Sequence, residues 1–472
     1  MVRELRKILV LIAVLLLSGI PARGQDASAT QDRIQALQKQ ALELKATLDE
    51  MQAKVQALTK ELEDSQSKLE EEQQLLNAKV EEQHQTKVES DSKYRVKLSG
   101  AILVNLFDNK GAVDSIDVPS FALPPGTLYA ASSVGGSIRQ SLLGFDVFGP
   151  EIKGAKVSAN IQFDFAGGFP NSSEGVTFGL PRLRTGVVRM AWPKTTVVAG
   201  QDVPFFSPLS PSSVADIAVP ALSYSGNLWT WTPQVRIEHR MDVTSASSLI
   251  LQGGILDPLT GEVPSSEFLR TAQAGEASGR PAYAGRIAWS RQGSGRPLQI
   301  GAGSYFSRQT WGFQRNIDGW AATSDWTVPL PGRIELSGEF YRGRAIGGLG
   351  GGLGRTVLLS GAVSDPTTMV KGLDSTGGWA QAKFRQSEKL EWNGAFGDDN
   401  LMADDLRYFP AATTSPTFYS YVARNQTAMF NFIYKPRTDL LFSTEYRHIR
   451  TSSIQGGAEK AGHFNLSMGV LF

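Results

Sequence analysis

From Tyr94 onward, apolar and polar residues alternate with a period of two, and no other feature constrains the fold as much. Lys156 to Phe165 shows it most clearly. Val157, Ala159, Ile161, Phe163 and Phe165 fall on one face of an extended strand, with Lys156, Ser158, Asn160, Gln162 and Asp164 on the other. One face suits lipid and the other water, the pattern of a transmembrane barrel strand. The alternation predicts strands near 95–107, 137–148, 155–165, 182–192, 195–203, 231–242, 247–256, 282–291, 297–306, 316–328, 333–342, 378–387, 389–397, 426–435, 439–450 and 462–472, sixteen in all.

The connections sort into two lengths. Short turns fall at Gly149–Lys153, Trp192–Lys194, Val243–Ala246, Gln292–Arg296, Pro329–Gly332, Ser387–Glu388 and Lys435–Arg437, several with Pro or Gly where a tight turn wants them. Longer segments alternate with them: 108–136, 166–181, 204–230, 257–281, 307–315, 343–377, 398–425 and 451–461. This alternation is what sixteen antiparallel strands with both termini on one side require, and a soluble sandwich or propeller has no reason to produce it. The expected fold class is therefore an all-β transmembrane barrel of about 16 antiparallel strands, residues 94–472, with the short turns on the periplasmic side. Trp192, Trp289, Trp326 and Trp392 near short turns, and Trp231, Trp311, Trp320 and Trp379 near long ones, suggest two interfacial girdles.

Composition agrees. A formal charge of +1 builds no basic field for a nucleic-acid partner, and zero cysteines exclude a disulfide framework, a thiolate metal site and a Cys nucleophile. A mean hydropathy of −0.17 argues against a helical membrane protein. It does not argue against a barrel, in which only every second strand residue meets lipid.

Two segments precede the barrel. Residues 1–24 carry a basic start (Arg3, Arg6, Lys7), an apolar run Ile8 to Leu17 and small residues at Ala22 and Gly24, the pattern of a secretory signal peptide. Residues 25–93 are expected to form a periplasmic α-helical coiled coil. Its seam runs through Ile34, Leu37, Ala41, Leu44, Leu48, Met51, Val55, Leu58 and Leu62, spaced alternately by three and four. One amphipathic helix cannot bury such a seam alone, so self-association is expected, and the mixed seam leaves dimer and trimer both open.

The sequence carries no catalytic constellation, so the chain reads as a non-enzyme. His84, His239, His448 and His463 lack partners at metal-ligand spacing, and neither a metal nor another cofactor is expected. The glycine run Gly347 to Gly354 lacks the spacing of a nucleotide-binding loop and reads as a mobile surface loop. Asp398, Asp399, Asp404 and Asp405 read as a solvated acidic loop.

Function then rests on the lumen. The polar phase holds Lys97, Lys156, Arg236, Arg240, Arg286, Lys383, Arg385 and Arg447, with Asp164, Glu238, Glu335, Glu339, Glu391 and Glu445 among them. From residue 91 onward there are 35 Lys plus Arg against 31 Asp plus Glu, and basic rings in a pore favour anions. Arg184 and Arg189 have opposite parity, which a β-bulge near Arg182–Arg189 would reconcile. The third long segment, Pro204 to Thr230, is too apolar and proline-rich to sit freely in water. In this it resembles the third long loop of sixteen-stranded porins, and that resemblance implies a loop that folds inward and narrows the channel, with Asp202, Phe205, Phe206 and Asp216 as constriction candidates; the alternative is an interface between protomers.

The final segment, GHFNLSMGVLF, ends on Phe472 in the apolar phase and resembles the terminal strand of bacterial outer-membrane barrels, whose last Phe is read by the barrel-assembly machinery. Together with the signal peptide, the coiled coil, the sixteen strands and the Gly200–Asp202 segment before a Pro-rich third loop, the chain resembles the DcaP-like trimeric porins. That resemblance implies a homotrimer in the outer membrane of a Gram-negative-type bacterium, in contact with membrane lipid and lipopolysaccharide, passing small anionic solutes such as dicarboxylates by passive diffusion. The phosphate-selective porins share the layout, a general porin is a further alternative, and a barrel-anchored tether reaching into the periplasm is the reading from another class.

Overall fold

The computed structural model describes residues 94–126, 130–173, 175, 179–263, 269–293, 296–408 and 421–472, with scattered residues between 36 and 66. The chain divides into two units, residues 1–85 and 86–472. In the first, residues 51–63 are helical, and Met51, Val55, Leu58 and Leu62 are more than 60% exposed along that helix. Ile34, Leu37, Leu44 and Leu48, like the expected signal peptide, lie outside the described residues.

The second unit is one closed antiparallel sheet whose strands pair in chain order. Its strands are β1 (Arg95–Lys110), β2 (in two pieces, Ser132–Ser137 and Leu142–Ile152), β3 (Ala155–Asp164), β4 (Arg182–Ala191), β5 (Thr195–Asp202) and β6 (Thr232–Thr244). They continue with β7 (Ser247–Leu256), β8 (Ala282–Arg291), β9 (Leu298–Thr310), β10 (Asn316–Leu330) and β11 (Ile334–Arg344). The rest are β12 (Asp374–Arg385), β13 (Leu390–Leu401), β14 (Val422–Tyr434), β15 (Leu440–Ser453) and β16 (Ala458–Leu471). Sixteen spans result, because both pieces of β2 pair with β1. The barrel closes where β1 meets β16, with Ala101 opposite Leu471 and Lys110 opposite Gly462.

Period two decides which side each residue faces. On β16, Phe464, Leu466, Met468 and Val470 are 40–51% exposed, whereas His463 and Asn465 are fully buried and Ser467 nearly so. The apolar phase therefore faces outward. On β1, Ile102, Val104 and Leu106 face outward while Leu103, Asn105 and Asn109 are buried.

Three expectations need correction. Strands run further on the long-loop side than the alternation predicted: β15 and β16 leave only 454–457 between them, and Asp398 and Asp399 lie in β13 rather than in a loop. Beyond the lipid an outward residue can be polar, so Arg424 and Asp398 pair on adjacent strands and the apolar signal fades before the strand ends. The glycine run is not a surface loop, because Gly347, Leu349, Gly352 and Leu353 are buried. The loop-side tryptophan girdle does not form, since Trp311 and Trp379 are buried, Trp231 contacts Trp229 and arginines of β4, and only Trp320 of the four lies on the outward phase. Trp392 stacks near Phe430 and Phe432 on the outward phase toward the short turns, with Trp289 and Trp326 on that phase of β8 and β10.

Candidate functional site

The lumen is shaped by residues 203–231, the connection between β5 and β6. Its sequence explains why it turns inward. Phe205 and Phe206 are apolar enough to leave water, and they find Tyr305, Ala321 and Tyr341 on the inner wall, with the Phe206 and Tyr305 rings 5.3 Å apart. Buried backbone must still be hydrogen-bonded, and inward polar residues of the strands do this. Thr323 Oγ1 donates to Phe206 O at 2.5 Å. Glu339 accepts from Ser207 Oγ and Leu209 N, both at 2.7 Å, and Gln381 Oε1 accepts from Ser212 N at 2.7 Å.

The loop is then tied by charge. Ser213 Oγ donates to Glu445 Oε2 at 2.7 Å, and Asn431 Nδ2 donates to the same oxygen at 2.9 Å. Arg447 bridges Glu445 and Asp216, and all three side chains are at most 4% exposed. Where β2 is interrupted, Gln140 Oε1 accepts from Ile217 N at 2.8 Å and Ala218 N at 2.7 Å, while Arg182 Nη2 donates to Ala218 O at 2.6 Å. On the return limb Asn425 Nδ2 donates to Tyr224 O at 3.0 Å, and Gly226, at φ +95°, sits against Gly378 O where a Cβ would come within 2.3 Å. Trp229 N donates to Leu349 O at 2.9 Å, which joins this loop to the glycine run within the 345–373 connection.

The inward cations have unequal surroundings. Arg236 lies 3.0 Å from Asp202 and 2.6 Å from Glu238, and Arg286 lies 2.7 Å from Asp325, so these two, like Arg447, are buried among carboxylates. Lys383 and Arg385 both lie 3.6 Å from Glu391, half-buried near the short-turn end. Lys97, Lys156 and Arg240 are exposed. Phe205 and Phe206 are buried in the wall, and Asp202 and Asp216 accept from arginines.

A second set of cations lies where the sequence placed a bulge without assigning them to the lumen. The sheet slips by one residue where Gln162 faces Thr185 but Phe163 faces Leu183, so the bulge falls at Arg184. It brings Arg184 inward beside Arg182, with Asp164 2.7 Å from Arg182 and 3.7 Å from Arg184. Gln201 Nε2 donates to the carbonyl of Arg184 at 2.7 Å, which satisfies the bulged backbone. Both guanidiniums lie over the Trp231 ring, at 4.8 and 5.0 Å, and Arg139 lies 2.7 Å from Asp117. The opposed parities of Arg184 and Arg189 are the signal that pointed to this bulge. No group of His, Cys, Asp and Glu able to hold a metal is present among the described residues.

A closed sixteen-strand barrel with its third long connection folded against the inner wall can be compared with known structures. Over 81% of this chain and 99% of the other, it matches the outer membrane channel DcaP of Acinetobacter baumannii with a TM-score of 0.60 at 15% identity. The fold is that of a porin barrel. An anion-selective porin from Comamonas acidovorans matches with a TM-score of 0.51 at 11% identity, over 80% of this chain and all of that one. No family model matches the sequence, and no curated protein matches it.

Proposed function

We propose that this chain is an outer-membrane porin through which small hydrophilic solutes diffuse passively, with a preference for anions such as dicarboxylates. It performs no chemistry on them. The observation that carries this reading is the loop of residues 203–231, hydrogen-bonded along the inner wall through Glu339, Gln381, Glu445 and Gln140. A barrel serving only as an anchor has no use for such a lining. Asn160 and Gln162 of β3 and Arg182, Arg184 and Arg189 of β4 are all half-buried, polar side chains that support a path for hydrophilic solutes beside that loop. The porin fold shared with DcaP and with the anion-selective Comamonas porin supports the same reading.

In this reading residues 1–24 direct export, and the loop of residues 203–231, seated through Phe205, Phe206 and Asp216 beside Asp202 of β5, forms the constriction. The helical segment assembles three chains on the periplasmic side, and Phe472 serves the assembly machinery. Planar-bilayer recording tests it. Stepwise ionic current with a reversal potential on the anion side is expected; no current would overturn the porin reading, and a cation-selective reversal would remove the anion preference.

A further inference from the structure

The charge of the barrel is distributed unevenly along its axis. The short-turn end comprises residues 95–97, 149–156, 191–196, 240–248, 290–298, 329–335, 383–391 and 434–440, with fourteen Lys and Arg against six Asp and Glu. The long connections with their strand ends carry slightly more acid than base. The cationic surplus of the barrel is therefore concentrated at one mouth.

Around that mouth Lys153, Lys194, Arg333, Lys389 and Lys435 stand in five of the seven short turns and Arg291 ends β8, and all are exposed. Lys194 and Arg240 share Asp242, at 3.1 and 3.3 Å. Arg95 and Lys97 complete the circle where β1 begins, both exposed. A recess of about 860 Å³ at the rim is lined in part by Arg296, Arg333 and Arg385. Deeper in the barrel Arg236, Arg286 and Arg447 are each matched by buried carboxylates, which cancel most of their field, and Arg182, Arg184 and Arg189 lie against Asp164 and Asp202.

Building on the porin reading, we infer that the basic ring at the short-turn mouth, rather than the loop-lined interior, sets the anion preference of this channel. Exposed charges act only through the salt that bathes them. Their reach is roughly 30 Å at 0.01 M but only about 3 Å at 1 M. A constriction built from buried pairs is screened far less. Mouth selectivity is thus strong in dilute salt, lost in concentrated salt, and sensitive to which mouth faces the dilute side.

The test is a reversal-potential measurement on single channels of the full-length protein, with a KCl gradient applied in each direction to the same channel. The expected anion-to-cation permeability ratio is severalfold larger when the dilute solution bathes the short-turn mouth, and falls toward one as both sides approach 1 M. The double variant Lys389→Glu/Lys435→Glu, both in exposed turns, should lower the dilute-salt ratio severalfold. Its conductance at 1 M should stay unchanged, which also shows that its barrel is intact. A ratio indifferent to gradient direction, or unaltered in the double variant, would overturn the inference while leaving the porin reading in place. Absence of any current from the native protein would overturn both.

Discussion

Arg447 shows how much can hang on one side chain. Its guanidinium is 2% exposed, and it answers both Glu445 on its own strand and Asp216 at the far point of the inward loop. Replacing it with Ala leaves two buried carboxylates facing each other, a loss of about 3–5 kcal/mol by comparison with other broken buried pairs. The expected outcome for Arg447→Ala is a loop tip detached from β15, a larger and noisier single-channel conductance, and a lower unfolding midpoint. Native conductance in this variant would mean that Gln140 and Glu339 hold the loop without it. Asp216→Asn, which keeps a hydrogen-bonding side chain in place, should produce a smaller rise. Each partner could be read from the sequence, Arg447 from its polar phase and Asp216 from its place in a proline-rich loop. Their pairing could not, because nothing local links residues 231 positions apart. Arg184 was hidden for a different reason: a bulge shifts parity by one, and only the conflict with Arg189 revealed it.

Among whole elements, the glycine run departs furthest from what its composition suggested. Its glycines allow close approach rather than motion. A Cβ on Gly348 would fall 2.2 Å from Leu259 O, and Gly350, at φ +79°, carries the edge of Trp229. The run is held by one buried tyrosine, since Gly352 N donates to the Tyr341 hydroxyl at 3.0 Å and that hydroxyl donates to Asp399 Oδ1 at 2.7 Å. Asp399 Oδ2 also accepts from Leu353 N at 3.2 Å. Tyr341→Phe removes one oxygen and leaves a buried N–H and a buried carboxylate oxygen short of a partner, at a cost of about 1–3 kcal/mol for each group. The segment 345–373 should then become susceptible to proteolysis in the folded barrel. Because Trp229 N bonds Leu349 O, the return limb of the 203–231 loop should loosen with it, visible as added current noise. Resistance to protease equal to the native chain would show that apolar packing alone seats the run. The barrel strands were legible because period two is written into every lipid-facing segment. A loop packed against another loop leaves no such periodic trace.

For the molecule as a whole, closure is made at one end of the described residues, and the proposed association is tested at the other. At the seam Gly100 N donates to Phe472 O at 2.9 Å and Phe472 N returns to Gly100 O at 3.2 Å. The Phe472 ring lies so close over Gly100 that a Cβ there would meet it at 2.8 Å, so this last residue both completes the hydrogen-bond ladder and covers a gap in the outer face. Deleting Phe472 should reduce the amount of folded barrel severalfold while channels that do form conduct as before; a full yield of folded barrel would remove its role in assembly. The other end makes a separate prediction. Met51, Val55, Leu58 and Leu62 line up along the described helix at 62–66% exposure, apolar surface that a lone helix leaves in water. At roughly 25 cal/mol per Å², burying such a seam against copies of itself contributes several kcal/mol per chain, enough to hold an oligomer. Val55→Glu/Leu58→Glu places charges in that seam, so sedimentation of the detergent-extracted protein should shift from the proposed trimer toward monomer. An unshifted trimer with native conductance would place the association energy in the barrels, with the helix following rather than causing it.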